Sequence, residues 1–459
     1  MRKILLGTTA VVGAALLAPG MAAAQEAPTV RIGGYFLGLY GYTQQTGTNA
    51  TNVSMNGIGG SDANANPGNS AASARLGHHD FSSEAEVHVF VNGKAANGLA
   101  YGAVIELAFN QQEGAVRSDA RRAVQDKTTG FIDEMYAFVS SPTLGQLRFG
   151  DEDGPLGGLM NTGVVTNFGT GGVYGAWESF TVRPNRTTTG PGGLGDNTKV
   201  IYLSPQFFGF DFGASWAFNE GSGEDTGCLN SFASINCDRV YAITGNNGTA
   251  RSHQLPGRLN EIQAVLRWRG NIAGVGIAAH GGYMTSSVIR NISTAGVITK
   301  NLRSPEIWQI GAQASYLGFT VGANWMAGST SFFYIPVNRG EKGMNQWIVG
   351  GSYTLGPVTV GANAFWGTYG QTGTALPGNN IIAAPTGLAQ RRWAISVGGN
   401  YRLAPGLDLI AEWTHHETKL PGTSQNIPVG NIAGASVFGN NINDRARTSV
   451  FMTGVRLAF

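Results

Sequence analysis

The chain has 459 residues, of which 69 are glycine and only 13 % are charged, about half the usual charged share of ~25 %. That much glycine excludes helical bundles and coiled coils, because each interior helical glycine costs about 1 kcal/mol, and 10 % aromatics with so little charge exclude disorder. The 30 basic and 28 acidic residues form no basic patch of the kind that would make nucleic acid a partner.

In chain order, residues 1–24 read as a signal peptide. Arg2 and Lys3 form its basic start, residues 4–17 its apolar core, and Ala22-Ala23-Ala24 its cleavage pattern. A membrane anchor fits less well, since the core is short and breaks at Pro19-Gly20. Without Arg2 and Lys3 the 30 bases become 28, equal to the 28 acids, so the exported chain 25–459 is expected to be neutral. No later stretch reaches the ~18 consecutive apolar residues of a membrane helix. Cys228 and Cys237, within one long link, are expected to be joined, as suits an exported protein.

From residue 29 onward apolar and polar residues alternate with period two, the mark of strands with one apolar face. In 210–218, for example, Phe210, Phe212, Ala214, Trp216 and Phe218 oppose Asp211, Gly213 and Ser215. The pattern predicts an all-β fold of sixteen strands near 29–43, 81–92, 99–110, 131–140, 146–150, 198–204, 210–219, 259–268, 274–285, 305–316, 319–328, 346–355, 358–369, 392–403, 407–416 and 448–459. Two strands break the rule. Tyr35, Leu37 and Leu39 blur the first, and in the fourth either Asp133 or Glu134 falls on the apolar face.

After even-numbered strands the links are short (92–98, 141–145, 205–209, 269–273, 317–318, 356–357, 404–406); after odd-numbered ones they are long. An antiparallel meander therefore puts every short turn at one rim and every long loop at the other, the asymmetry of outer-membrane barrels. Aromatic residues such as Trp308, Trp325, Trp347, Trp366 and Trp393 sit at strand ends on the apolar faces, where a lipid-facing barrel carries its girdles. A soluble sandwich would carry more surface charge, and no fixed repeat supports a solenoid.

Three segments resemble Gram-negative general porins. Lys199-Val200-Ile201-Tyr202-Leu203-Ser204-Pro205-Gln206-Phe207-Phe208-Gly209-Phe210 is similar to a family strand–turn–strand. Gly145-Gln146-Leu147-Arg148-Phe149-Gly150 is similar to the strand before the family's constriction loop. At the C-terminus Phe459, with Leu457, Val455 and Phe451 on one face, resembles the signal read by the outer-membrane assembly machinery. The resemblance implies a homotrimer of sixteen-stranded barrels in outer-membrane lipid and lipopolysaccharide. It also implies a third long loop folded into the lumen and passive diffusion of small hydrophilic solutes. The chain departs from the family where many members carry arginines on the early strands: here stand Glu84, Glu86, His88 and Glu106.

A sixteen-stranded barrel is too wide for its side chains to fill, so it holds water. By parity the inward acids are Glu84, Glu86, Glu106, Asp211, Glu261, Asp408 and Glu412; the inward bases are Arg148, Lys199, Arg267, Arg392, Arg402 and Arg456. The loop 151–197 is the expected constriction, carrying Asp151, Glu152, Asp153, Glu178, Asp196, Arg183 and Arg186. Asp151 and Asp153 could hold a structural Ca²⁺ with loop carbonyls; no other cofactor is expected. His78-His79 and His415-His416 make poor metal pairs, because adjacent strand residues point to opposite faces. No catalytic motif stands out, which weakens a barrel enzyme, and an adhesin or a channel selective for a sugar, phosphate or amino acid are the remaining rivals. Arg392, Arg402 and Arg456 fall near strand ends and Glu86 and Glu106 near mid-strand, so weak cation preference is expected.

Overall fold

A computed structural model describes residues 26–46, 78–109, 130–181, 196–219, 241–244, 258–288, 290–293, 302–330, 336–370, 389–419 and 445–459. Its strands are β1 (Glu26–Thr46), β2 (His79–Lys94), β3 (Ala100–Ala108), β4 (Phe131–Ser141), β5 (Gly145–Asp151), β6 (Thr198–Leu203), β7 (Phe210–Ala217), β8 (Tyr241–Thr244) and β9 (Arg258–Ile272). They continue with β10 (Val275–Val288), β11 (Arg290–Ser293), β12 (Glu306–Tyr316), β13 (Phe319–Gly328), β14 (Met344–Leu355), β15 (Val358–Gly370), β16 (Ala389–Ala404), β17 (Leu407–Lys419) and β18 (Arg445–Ala458). Sixteen of them pair antiparallel into a closed barrel; β1 closes it against β18, with Tyr35 opposite Ala458 and Thr46 opposite Arg447. The other two, β8 and β11, form a small parallel pair inside two long links and were not foreseen in the alternation.

The short turns have the chemistry that hairpins require. In 317–318, between β12 and β13, Leu317 (φ 47°) and Gly318 (φ 84°) are both left-handed. That geometry matches the twist of paired strands, and glycine adopts it without strain.

Alternation sorts the two faces. Ile262, Leu266, Trp308, Phe319, Val321 and Trp366 are exposed on the outside, while Gln263, Gln309, Asn324, Asn363 and Glu412 are buried within. A soluble protein does the reverse; this pattern fits a wall between lipid and water. Tryptophans line up near the long-loop rim, with Trp347 stacked on Trp366 at 6.2 Å and tilted against Trp325 at 6.0 Å. Phe319 and Tyr353 stack at 4.1 Å near the short-turn rim.

Both irregular strands have a physical explanation. The β3–β4 register jumps from Ile105 opposite Met135 to Leu107 opposite Ile132, a bulge that sets Asp133 and Glu134 together against Glu106. The extra residue lets Ile132 and Met135 face outward while both acids are half-buried, so neither acid occupies the lipid face, contrary to the strict alternation expected. In β1, Leu37 and Leu39 point inward and are buried with Trp177, Phe180, Ile410, Val450 and Met452. The blurred first strand is thus a docking surface for the third long loop.

Candidate channel constriction

From β5 the loop enters the barrel and follows its inner wall. The Leu156 N–H donates to Gln263 on β9 at 2.9 Å. Thr162 meets His280 on β10 at 2.7 Å, and Asn324 on β13 donates to the Thr162 carbonyl at 2.9 Å. Asn363 on β15 donates to the Val165 carbonyl at 3.0 Å and accepts from the Val173 N–H at 2.9 Å. Glu412 on β17 accepts from the backbone of Thr170 and Gly172 at 2.7 and 3.1 Å and from the Thr170 hydroxyl at 3.0 Å. Trp177 is fully buried, stacked on His416 at 5.3 Å, and Thr43 on β1 donates to the Phe180 carbonyl at 3.2 Å. At Gly163 (φ 85°) any Cβ would strike the Ala323 carbonyl, so glycine allows the loop to lie flat there.

These anchors change the inventory of pore charges. Glu261, Glu412, Lys199 and Arg392 do face inward, but they are buried. Glu261 pairs with Arg258 at 2.8 Å, and Glu412 is spent on the loop backbone. Arg392 does not sit in a wide, salt-screened lumen as its place near a strand end suggested; it is 5 % exposed, beside the Tyr369 ring.

The wall from β2 to β5 is different. Glu84 and Glu86 both contact the Tyr35 hydroxyl, which lies 2.9 Å from Glu86. His88 Nε2 stands 3.0 Å from Glu86 and 3.6 Å from Glu106, its cross-strand partner. Among the described residues, no lysine or arginine forms an ion pair with Glu84, Glu86 or Glu106.

Beside this group, across the β3–β4 bulge, the loop's stem gathers further acids. Arg148 pairs with Glu152 at 2.6 Å and lies over the Tyr136 ring. Glu134, Asp153 and Asp196 bring carboxylate oxygens within 4.8 Å of one another, and Lys199 donates to the Glu152 carbonyl beside them. Asp151 is elsewhere, accepting from the Thr198 hydroxyl at 2.5 Å. The carboxylate group that the structure brings together joins Asp153 to Glu134 and Asp196. Burial, then the neighbouring Asp196, pushes the Asp153 carboxyl up to about 7. Burial also raises the Glu152 carboxyl, against the opposing pull of Arg148.

Two basins lie toward the short-turn rim. One, of about 1170 Å³, reaches from that rim to the acidic wall and is lined by Arg31, Glu84, His88, Glu178, Arg402, Asp408 and Arg456; the other, of about 680 Å³, by Lys94, Asp211, Arg267 and Arg269. Asp211 lies 2.8 and 2.6 Å from Arg267 and Arg269, and Asp408 2.9 and 3.7 Å from Arg456 and Arg402. Phe459 exchanges backbone hydrogen bonds with Gly34, both 3.0 Å, and Phe451, Val455 and Leu457 lie exposed on the outer face. Arg183, Arg186, Cys228, Cys237 and residues 1–24 lie outside the described residues.

Parity placed Glu84, Glu86, His88 and Glu106 on the inner face, and the structure brings Glu86, His88 and Glu106 together. Parity missed Tyr35, whose signal was the blurred alternation of β1, and it missed the anchoring roles of Gln263, His280, Asn324, Asn363 and His416. Polar residues at inward positions were the only signal for these, and water-facing residues give the same one.

A closed barrel with a polar inner wall, an apolar outer band and a loop held inside defines a channel-forming membrane barrel. A family model described as Gram-negative porin matches residues 7–420, and the chain belongs to that family. It is an outer-membrane channel for the diffusion of solutes. Solved structures similar in fold include an anion-selective porin from Comamonas acidovorans, 12 % identical over 94 % of this chain and 100 % of that one, with a TM-score of 0.48. A loop-deletion mutant of the outer-membrane protein OmpT of Vibrio cholerae is 11 % identical over 95 % and 100 %, with a TM-score of 0.47. A Rhodopseudomonas blastica porin triple mutant is 14 % identical over 94 % and 100 %, with a TM-score of 0.45. Comparison with curated proteins finds no match.

Proposed function

We propose that solutes pass between the anchored loop segment 151–181 and the wall formed by β2 to β5, and that this narrow stretch prefers cations weakly. The observation that carries the reading is the pairing pattern. Among the described residues, Glu84, Glu86 and Glu106 form hydrogen bonds or ion pairs only with Tyr35 and His88, whereas Arg267, Arg269, Arg402 and Arg456 are tied to Asp211 or Asp408 near a rim. Low charge density elsewhere and overall neutrality leave local placement to set the sign.

In this reading residues 1–24 are removed on export, three copies of the barrel assemble in lipid and lipopolysaccharide, and the assembly machinery reads Phe459 with its outward neighbours. Arg183 and Arg186 supply counter-charges from the loop, and Cys228 and Cys237 close a ring in an external link. The test is single-channel recording in a planar bilayer under a salt gradient. The reversal potential should take the sign of a cation-preferring channel, and Glu86→Gln with Glu106→Gln should move it toward anions. An anion-selective wild-type channel would overturn the assignment of this wall.

A further inference from the structure

We propose that Glu86, His88 and Glu106 form a binding site for a divalent transition-metal ion of the zinc class on the channel wall, and that its occupancy cancels the negative charge of Glu86 and Glu106. The inference rests on the reading of this wall as the conducting path; the metal site itself rests on the donor geometry.

The strand lattice builds the donor set. Glu86 and His88 are two apart on β2 and share a face, and Glu106 on β3 lies directly opposite His88. A two-residue spacing plus its cross-strand partner gives three side chains converging from a hydrogen-bonded sheet. Donor atoms of all three lie within 4.8 Å of one another. Two ligands ~2.0–2.1 Å from a zinc ion at a tetrahedral angle stand about 3.3–3.4 Å apart. The two distances from His88 Nε2, 3.0 Å to Glu86 and 3.6 Å to Glu106, bracket that value.

A proton satisfies this group less well than a metal does. One N–H at Nε2 can serve the Glu86 oxygen at 3.0 Å, but 3.6 Å to Glu106 is beyond hydrogen-bond length. A divalent ion replaces the proton and engages both carboxylates through one centre. The imidazole donor selects zinc, copper or nickel over calcium and magnesium, which prefer oxygen alone. Each side chain remains partly exposed, at 22, 17 and 19 %, so water can complete a fourth position and ions can reach the site from the lumen. Tyr35, 2.9 Å from the other oxygen of Glu86, would orient that carboxylate from behind. With the metal bound to neutral His88, the two negative charges of Glu86 and Glu106 are matched and the local charge falls to zero.

The test is titration of the purified, folded, metal-stripped porin with Zn²⁺ by calorimetry, in detergent, alongside bilayer recording with and without Zn²⁺. Expected is saturable binding of about one ion per chain, weakened ~10-fold or more in His88→Ala and in Glu106→Gln. Mg²⁺ at the same concentration should not compete, and Glu84→Gln, which removes an equal charge from the same wall but no donor, should bind Zn²⁺ like the wild type. Zn²⁺ should reduce cation preference in the wild type and leave His88→Ala unchanged. Heat-modifiable gel migration confirms that each variant is a folded barrel. Equal effects of Mg²⁺ and Zn²⁺, unchanged binding in His88→Ala, or an equal loss in Glu84→Gln would mean diffuse electrostatics and overturn the site. A channel that is anion-selective without metal but keeps His88-dependent Zn²⁺ binding would refute the cation reading alone.

Discussion

The inner wall has two halves made of the same strand alternation and put to different uses. From β9 to β17 the inward polar residues hold the loop: Gln263, His280, Asn324, Asn363, Glu412 and His416 are buried against its backbone or side chains. On β2 and β3 the inward Glu84, Glu86 and Glu106 are partly exposed and meet only Tyr35 and His88 among the described residues. A charge buried under the loop is neutralised by fixed hydrogen bonds, while the same charge on the open wall is available to passing ions. Counting inward charges by parity treats these as equal, and the proposed selectivity rests on the difference between them.

The sharpest way to break the comparison is to strip the covered half of its loop. Trp177→Ala removes a fully buried aromatic side chain packed between Leu37, Leu39 and His416. Such truncations cost about 3–5 kcal/mol, and here the cost falls on the docked loop and not on the barrel's strand pairing. The loop in this variant should become open to added protease and the single-channel conductance should rise, with heat-modifiable migration retained. A conductance equal to wild type would mean that the loop does not narrow the path.

Glu412→Ala attacks the same half through its polar anchor. Three donors from Thr170 and Gly172 lose their shared acceptor, at ~1.5–3 kcal/mol for hydrogen bonds to a charged group. The expected result is a smaller conductance rise than in Trp177→Ala, accompanied by more current noise as the loop leaves the wall intermittently. A quiet channel of unchanged conductance would show that the apolar contacts hold the loop alone.

Why one half could be read in the sequence and the other could not follows from what parity encodes. Alternation over 210–218 or 319–328 fixes a face, and the short and long links fix which rim each strand end joins; both features are local, and the closed barrel follows from them. The positions of Glu86, His88 and Glu106 were legible for the same reason, since they need only strand pairing. The loop's route was not, because it depends on matches between residues more than a hundred positions apart, such as Thr162 with His280 and Thr170 with Glu412. The β4 bulge was half legible. Two adjacent acids in an otherwise regular strand signalled a break, but only pairing with Glu106 shows that the chain gains one residue there.

On the open half, charge should matter more than packing. A unit charge 4–8 Å from a passing ion in water contributes about 0.5–1 kcal/mol, or a ~2–5-fold change in the cation-to-anion permeability ratio. Glu86→Gln and Glu106→Gln, each alone, should produce a shift of that size in the reversal potential. Glu261→Gln, beneath the loop and paired with Arg258, should produce less than half of it. A shift in Glu261→Gln equal to either of these would erase the distinction between the halves.

The smallest effect is expected where the halves meet, at the loop's stem. Asp153 faces Asp196, Glu134, Glu152 and Lys199, and burial with the nearby Asp196 charge raises its carboxyl to about 7. An acid so raised keeps its proton in the folded protein at pH 5.5 and has largely lost it at pH 8. Rising pH therefore adds negative charge to the wall, and cation preference should increase across neutrality by less than ~2-fold, one partly countered charge being involved. The same shift works against stability. The unfolded chain releases this proton near its ordinary value of 3.8, so folding stability attributable to Asp153 falls as pH rises from there toward 7, and is flat above. Asp153→Asn should reduce the change in reversal potential between pH 5.5 and 8 without changing its sign at pH 5.5. A full wild-type pH step in that variant would assign the titration to another group on the open wall.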